Sequence, residues 1–162
     1  MYQRILVTLD GSALARTALD HAAKLAAGAS TEVRVLAVSD TLDLTRRDAE
    51  GQFEVTDGDQ ARIDALAREL HFNRRHRALD EMARAEAQLN AAGVASVQGE
   101  VIEGLAGNEI VNFAAAQQCD AIVMATRGHG GLGREVLGSV AEYVLRHAGG
   151  LAVILVGPRS GA

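Results

Sequence analysis

The stretch "RILVTLDGS", residues 4–12, decides the fold. After Arg4 it is a run of β-branched and large apolar residues, which is typical of a short strand. Asp-Gly-Ser ends that run, and Ser12 stands where the cap of a helix is expected. The following segment, Ala13 to Ala27, is rich in Ala and Leu and places Leu14, Ala18, Ala22 and Leu25 on one face, and Gly28 supplies a stop. A strand therefore leads directly into a helix.

This strand-to-helix order repeats along the chain. A second strand is predicted in "EVRVLAVSD", residues 32–40, a third in "SVQGEVIEG", a fourth in "DAIVMA" and a fifth in "LAVILV". Short helices are predicted at Asn108–Gln118, with Ile110, Phe113 and Ala114 inward, and at about Ser139–His147. Five strands that alternate with helices predict the α/β class: one doubly wound domain over residues 1–162, a parallel sheet and helices on both faces. Ligands in such sheets bind beyond the carboxyl ends of the strands.

The segment between the second and third strands departs from this order. Residues 41–59 are polar and acidic without periodicity, which predicts a long excursion. Helical character follows from Gln60 to Ala92, but an unbroken helix of that length would span about 50 Å. We therefore expect a bend or break near "HFNRRHR", residues 71–77. Its cluster of Arg74, Arg75, His76 and Arg77 is open to two interpretations, an anion or partner site or a solvated helix face.

Composition narrows the functional class. The 162 residues are 48% hydrophobic and 23% charged, as in folded globular domains. The net charge of -5 disfavours nucleic acid as a partner. We expect no membrane insertion and a cytoplasmic location, because apolar runs stay short of a membrane span and the N-terminus lacks the pattern of a signal peptide. The lone Cys119 cannot form an internal disulfide, and its apolar neighbours predict a buried thiol.

The glycine run "GHGGLG", residues 128–133, matches the dinucleotide fingerprint, but its context argues against NAD or FAD. It follows the fourth strand instead of the first, and the required acidic residue is missing about 20 positions later. A Walker loop is excluded as well, since the only lysine is Lys24 in the first helix.

The longer frame "MATRGHGGLGREVLGSV", residues 124–140, suits a different phosphate site. Backbone N–H groups at Gly128 and at Gly138 to Val140 could face one anion at a helix N-terminus, with the Ser139 hydroxyl beside them. "SVAE" is also a capping box, with Ser139 as N-cap and Glu142 at the third helical position. The two interpretations compete for the same hydroxyl.

With these motifs in place, the chain resembles the universal stress protein family. The resemblance runs from "ILVTLDGS" through "CDAIVMATRGHGGLG" to "LGSVAEYVLRHA" and the last strand. The nucleotide-binding branch of that family has a glycine, two residues, a glycine, nine residues, and then Gly-Ser or Gly-Thr. Here Gly128 is the second glycine and Gly138-Ser139 completes the pattern, whereas Ala125 replaces the first glycine and adds a methyl group beside the expected ribose.

The resemblance implies a strand order of 3-2-1-4-5 and a bound adenine nucleotide. ATP, or else ADP, AMP or cyclic AMP, would lie across the carboxyl ends of the first and fourth strands, with any Mg²⁺ or Mn²⁺ held by the phosphates. By matching position, Asp10 would contact the ribose and the backbone of Val38 the adenine edge. The remaining implied nucleotide-binding residues are Met124 and Ala125 at the base and ribose, Gly128, Gly138, Ser139 and Val140 at the phosphates, and Thr8, where the family usually has proline.

The expected function is that of a nucleotide-dependent switch or sensor in the stress response. No catalytic residue is assigned, because no general base is placed to activate water, and hydrolysis should be slow. Two alternatives stay open: a dimeric interaction protein whose site is vestigial, favoured by Ala125 and the capping box, or a slow ATP hydrolase. A homodimer through the fifth strand is expected from the family and from the apolar edge strand "LAVILVG".

Overall fold

The computed structural model describes residues 2–28, 30–39, 57–127 and 137–158, and for residues 57–60 the backbone alone. In chain order the elements are β1 (Arg4–Leu9), α1 (Ala13–Ala26), β2 (Glu32–Ser39), α2 (Asp57–Ala91), β3 (Ser96–Glu103), α3 (Ala106–Ala116), β4 (Ala121–Ala125), α4 (Ser139–His147) and β5 (Ala152–Val156).

The five strands form one sheet in the order β3-β2-β1-β4-β5, and every neighbouring pair is parallel. The predicted fold class and strand order are therefore confirmed. β1 lies at the centre, between β2, which follows it in sequence, and β4, which belongs to the second half of the chain. The direction of winding reverses between β1 and β4.

Two apolar layers cover the sheet. α1 and the C-terminal half of α2 pack on one face, and α3 and α4 pack on the other. In β4 the side chains of Ala121 and Val123 enter the first layer, while Ile122 and Met124 enter the second. Burial on both faces explains why this strand has a continuous apolar sequence instead of an alternating one.

Helix α1 begins as predicted, because the Ser12 hydroxyl accepts a hydrogen bond from the Ala15 N–H at 3.0 Å. Its predicted inner face is partly wrong. Leu25 is 38% exposed and Leu14 is half-buried, whereas the buried residues are Ala15, Ala18, Leu19, Ala22 and Ala26. The buried face of α1 is rotated by about one residue from the predicted face, and this rotation places mainly small alanine side chains against the sheet.

The predicted break in α2 is wrong, because the helix runs unbroken for 35 residues. Its C-terminal half packs on the sheet through Met82, Ala85 and Leu89. The N-terminal half has room to continue because it extends past the sheet, where Leu66 is 55% exposed. Of the predicted excursion, residues 57–59 already belong to α2, and residues 41–56 lie outside the described residues.

Asp120 links the amino-terminal ends of strands β1 and β4. Its carboxylate accepts hydrogen bonds from the backbone N–H groups of Gln3 and Arg4, the latter at 2.8 Å. These two bonds lower the pKa of Asp120. Beside it Cys119 is buried, as predicted, and burial raises the pKa of its thiol to about 11.

None of the helices in the described ranges has both the length and the apolar character needed to cross a bilayer.

We predict that Asp120→Asn destabilises the protein at neutral pH and that this effect disappears in acid. The folded-state pKa lies below the unfolded value, so the stabilisation is complete above about pH 4 and is lost as the pH falls through the folded-state pKa. Urea unfolding of both proteins between pH 7 and pH 2.5 measures the difference in unfolding free energy. A difference that stays constant over this range would contradict the assigned role.

Candidate functional site

The candidate site lies where the carboxyl ends of the central strands meet. β1 ends at Leu9 and β4 ends at Ala125, and the two strands are neighbours in the sheet. The helices that follow them, α1 and α4, pack on opposite faces, so the connecting segments separate at this edge. The gap between them is the usual ligand position in doubly wound sheets.

Asp10 follows β1 directly and is exposed. One of its carboxylate oxygens accepts a hydrogen bond from the Ser12 N–H at 2.9 Å, which closes the turn into α1. A carboxylate has two oxygens with several acceptor positions, so the turn leaves the other oxygen free for a ligand. The turn and a binding role are therefore compatible.

A cavity of about 470 Å³ opens next to Asp10, between α1 and α2 and above the ends of β1 and β2. Asp10 and Val38, which are two of the predicted site residues, both line it. Thr8 lies within β1, is only 8% exposed and is not among the residues that line this cavity. The cavity brings together Asp10, predicted for the ribose, and Val38, predicted for the adenine edge, whereas Met124 and Ala125 are not among its lining residues.

Helix α4 supplies the other end of the site. Gly138 is its N-cap, with φ -67° and ψ 150°, and Ser139 is the first helical residue. The Gly138 N–H donates to the Thr126 carbonyl at 2.8 Å, which fixes the start of the helix against the end of β4.

The predicted capping box is wrong. Ser139 lies one position inside the helix, so its exposed hydroxyl makes no cap hydrogen bond at this terminus. Glu142 instead bonds Arg146 one turn later, at 2.5 Å. Because the cap does not use the Ser139 hydroxyl, that hydroxyl can contact a phosphate.

The first turn of α4 also leaves its amides free. The N–H groups of Ser139, Val140 and Ala141 have no carbonyl partner inside the helix, as at every helix N-terminus. Together with the helix dipole they favour an anion here. The predicted contacts Ser139 and Val140 thus stand at the start of one helix, on the β4 side of the gap.

Met124 and Ala125 are buried, with 4% and 8% of their surface exposed. The Met124 side chain packs in the core beneath α3 and α4, so only its backbone can face a ligand. Ala125 is the last residue of β4, at the rim of the gap. Gly128, the remaining predicted contact, lies outside the described residues.

Sequence reasoning missed Ser39, which ends β2 next to Val38 and lines the cavity. Arg74 and Arg77 also line it from α2, and they belong to the basic cluster for which the sequence left an anion or partner site open. The position of Ser39 at a strand end was a usable signal. Across the described ranges, no three His, Cys, Asp or Glu side chains are grouped so that they could hold a metal ion.

Comparison with known proteins gives a consistent match. The sequence profile described as the universal stress protein family matches residues 1–150. Universal stress protein MJ0531 from Methanocaldococcus jannaschii is 32% identical over 148 residues, which cover 91% of this chain and 78% of that protein. The solved structure of hypothetical protein MJ0577, from the same organism, superposes with a TM-score of 0.77 at 25% identity and covers 99% of both chains.

Two further solved structures share the fold and were determined with adenine nucleotides. A universal stress protein in complex with cAMP has a TM-score of 0.62 at 20% identity, covering 96% of this chain and 97% of that one. The universal stress protein from Archaeoglobus fulgidus in complex with dAMP has a TM-score of 0.59 at 22% identity, covering 96% and 98%.

The two serines at helix starts give a matched test of the capping geometry. Ser12→Ala should lower the unfolding free energy by about 1 kcal/mol, because it removes the hydroxyl that accepts from the Ala15 N–H. Ser139→Ala should change it by less than about 0.5 kcal/mol, because that hydroxyl is exposed and is not a cap. Denaturant unfolding measures both, and equal losses would mean that Ser139 caps α4 after all.

Proposed function

This chain belongs to the universal stress protein family, and we propose that it binds ATP or a related adenine nucleotide as a switch or sensor in the stress response. The observation that carries the proposal is the pairing of two half-sites across the gap between β1 and β4. Asp10 and Val38 stand on one side, and the free N-terminal amides of α4 stand on the other.

The β1 and β2 side suits the nucleoside. The free oxygen of Asp10 can accept hydrogen bonds from ribose hydroxyls, and the backbone of Val38 offers donor and acceptor groups to the adenine edge. The apolar lining from Leu9 and Ala37 suits the flat faces of a base. The adenine nucleotides bound by the two related proteins, cAMP and dAMP, support this assignment.

The α4 side suits the phosphates. Gly138 brings the backbone close, since it has no side chain, and the amides of Ser139 and Val140 follow it at the positive end of the helix dipole. In the proposal Gly128 and the Ser139 hydroxyl complete this half-site, with the methyl group of Ala125 beside the ribose. A Mg²⁺ or Mn²⁺ ion, if bound, is coordinated by the phosphate oxygens.

The proposal describes a binding protein and not an efficient catalyst. Asp10, the carboxylate that directly follows β1, is assigned to the ribose side and is already engaged with the Ser12 N–H. It is therefore not placed to activate water at the γ-phosphate. A cytoplasmic location belongs to the same proposal.

Gly138→Asp tests the phosphate half-site without threatening the fold. The φ of -67° at Gly138 suits any residue, and aspartate is a favourable N-cap, so the variant should fold at least as stably as the wild type. We expect it to abolish ATP binding in titration calorimetry, because the added carboxylate occupies the phosphate position and repels the phosphates.

Two controls separate charge from bulk in this experiment. Gly138→Asn has the same size without the charge, and we expect it to retain part of the ATP affinity. Adenosine, which has no phosphate, should bind wild type and Gly138→Asp equally. Unchanged ATP affinity in Gly138→Asp would refute the site.

We also propose that the protein is a homodimer joined along β5. β5 is an edge strand, and its residues Ala152 to Leu155 are only half-buried although all are apolar. An apolar edge with open backbone groups tends to pair with another chain. The opposite edge, β3, is mainly polar and exposed, which makes it the less favourable surface.

Light scattering on purified protein at micromolar concentration should give twice the chain mass of 17.0 kDa. Val153→Arg should give a monomer, because it places a charge on the β5 edge. Val97→Arg is the matched control, since Val97 is a half-buried valine in the opposite edge strand, and it should stay dimeric. A monomeric wild type would contradict the proposal whatever the variants do.

A further inference from the structure

The basic cluster of α2, residues 74–77, is divided by the structure into two groups. The Arg75 guanidinium contacts the Glu103 carboxylate at 3.1 Å, and His76 Nδ1 lies 3.2 Å from the Phe72 carbonyl oxygen. Arg74 and Arg77 instead line the cavity that contains Asp10 and Val38. Within the described part of the chain, neither of these two guanidinium groups forms an ion pair.

Ser39 lines the same cavity and has an unsatisfied hydroxyl. The residue is only 8% exposed, and its Oγ is buried without a hydrogen-bond partner among the described residues. A buried hydroxyl without a partner carries a desolvation cost that no hydrogen bond offsets. Buried polar groups in native proteins nearly always have a hydrogen-bond partner, and a ligand in the adjoining cavity would supply one for Ser39.

Strand register places the serine and the arginines at the same height. Ser39 lies opposite Glu103 in the pairing of β2 with β3, and Glu103 is the residue that Arg75 contacts. Arg74 and Arg77 are one helical turn apart on either side of that level. The carboxyl end of β2, which carries the unpartnered Ser39 hydroxyl, therefore faces Arg74 and Arg77 across the cavity.

We propose that this cavity binds a phosphate group, held by Arg74, Arg77 and the Ser39 hydroxyl. Guanidinium groups form paired, charge-assisted hydrogen bonds to phosphate, and a serine hydroxyl can donate to a phosphate oxygen. Arg16, Arg84, Asp80 and Glu81 also line the cavity, so its wall carries charges of both signs. This phosphate is separate from those that Gly138 and Ser139 would hold on the other side of the gap.

The inference rests on the proposed function for the source of the phosphate. If Asp10 holds the ribose and Val38 the base, a second phosphate on the ribose 2′ or 3′ oxygen projects from the part of the ligand that this cavity surrounds. A separate phosphate compound beside the nucleotide is the other source of the same chemistry. Adenosine 3′,5′-bisphosphate and adenosine 2′,5′-bisphosphate probe the first source, and inorganic pyrophosphate probes the second.

Titration calorimetry on the full chain compares these probes with AMP. We expect one of the bisphosphates, or pyrophosphate alone, to bind the wild type, with the bisphosphate at least about ten-fold tighter than AMP. Arg74→Ala/Arg77→Ala should abolish the preference for that bisphosphate over AMP, or the binding of pyrophosphate. Arg75→Ala is the matched control, since it removes the same charge from the same cluster but contacts Glu103, and it should behave as wild type.

Ser39→Ala separates a binding role from a structural one. Because the hydroxyl has no partner, its removal should leave the unfolding free energy unchanged or raise it, while weakening the phosphate-dependent binding. Loss of stability in Ser39→Ala would show that the hydroxyl has a structural partner, and would overturn its assigned role.

The outcomes distinguish this inference from the proposed function. Wild type that binds ATP but neither prefers a bisphosphate to AMP nor binds pyrophosphate would overturn the inference and leave the nucleotide site intact. A preference that survives in Arg74→Ala/Arg77→Ala would also overturn it. Wild type that binds pyrophosphate, with sensitivity to these arginines, but no adenine nucleotide would refute the proposed function and retain the phosphate site.

Discussion

The central constraint on this molecule is that its middle strands are buried on both faces. β1 and β4 have no polar face to turn to water, so each face of the sheet must be covered by helices. Right-handed crossovers satisfy this requirement only if the winding reverses, and it reverses between β1 and β4. The gap at the carboxyl ends of these strands is a consequence of building the core.

A short chain of main-chain hydrogen bonds holds the rim of that gap. The Thr126 N–H donates to the Val156 carbonyl at 2.9 Å, and the Gly138 N–H donates to the Thr126 carbonyl at 2.8 Å. The end of β4 is thereby joined to the end of β5 and to the start of α4. The positions of the free amides in α4 depend on the sheet itself and not on any side-chain cap, which is consistent with a glycine at the N-cap.

Local chemistry in the sequence was sufficient for most of the fold, because alternating strand and helix patterns gave the elements. The family resemblance, and not the local pattern, implied Asp10 and Val38, which do line one cavity. The capping box at Ser139 failed because the helix begins one residue earlier than the motif implies, with Gly138 as its N-cap. That offset is fixed by the Gly138 bond to Thr126, a tertiary contact that no local pattern reports.

The predicted break in α2 failed for a related reason, and this failure matters more for function. Length alone argued for a break, but none is needed because the N-terminal half of α2 extends past the sheet. The rest of the helix runs antiparallel to β3. The Glu86 carboxylate accepts the Gly99 N–H at 2.7 Å, and Arg75 contacts Glu103 farther along the strand. This contact pair sets which face of α2 turns toward the cavity, and so separates Arg74 and Arg77 from Arg75 within one basic run. Adjacent charges in a sequence acquire different roles because a helix turns them by about 100° per residue.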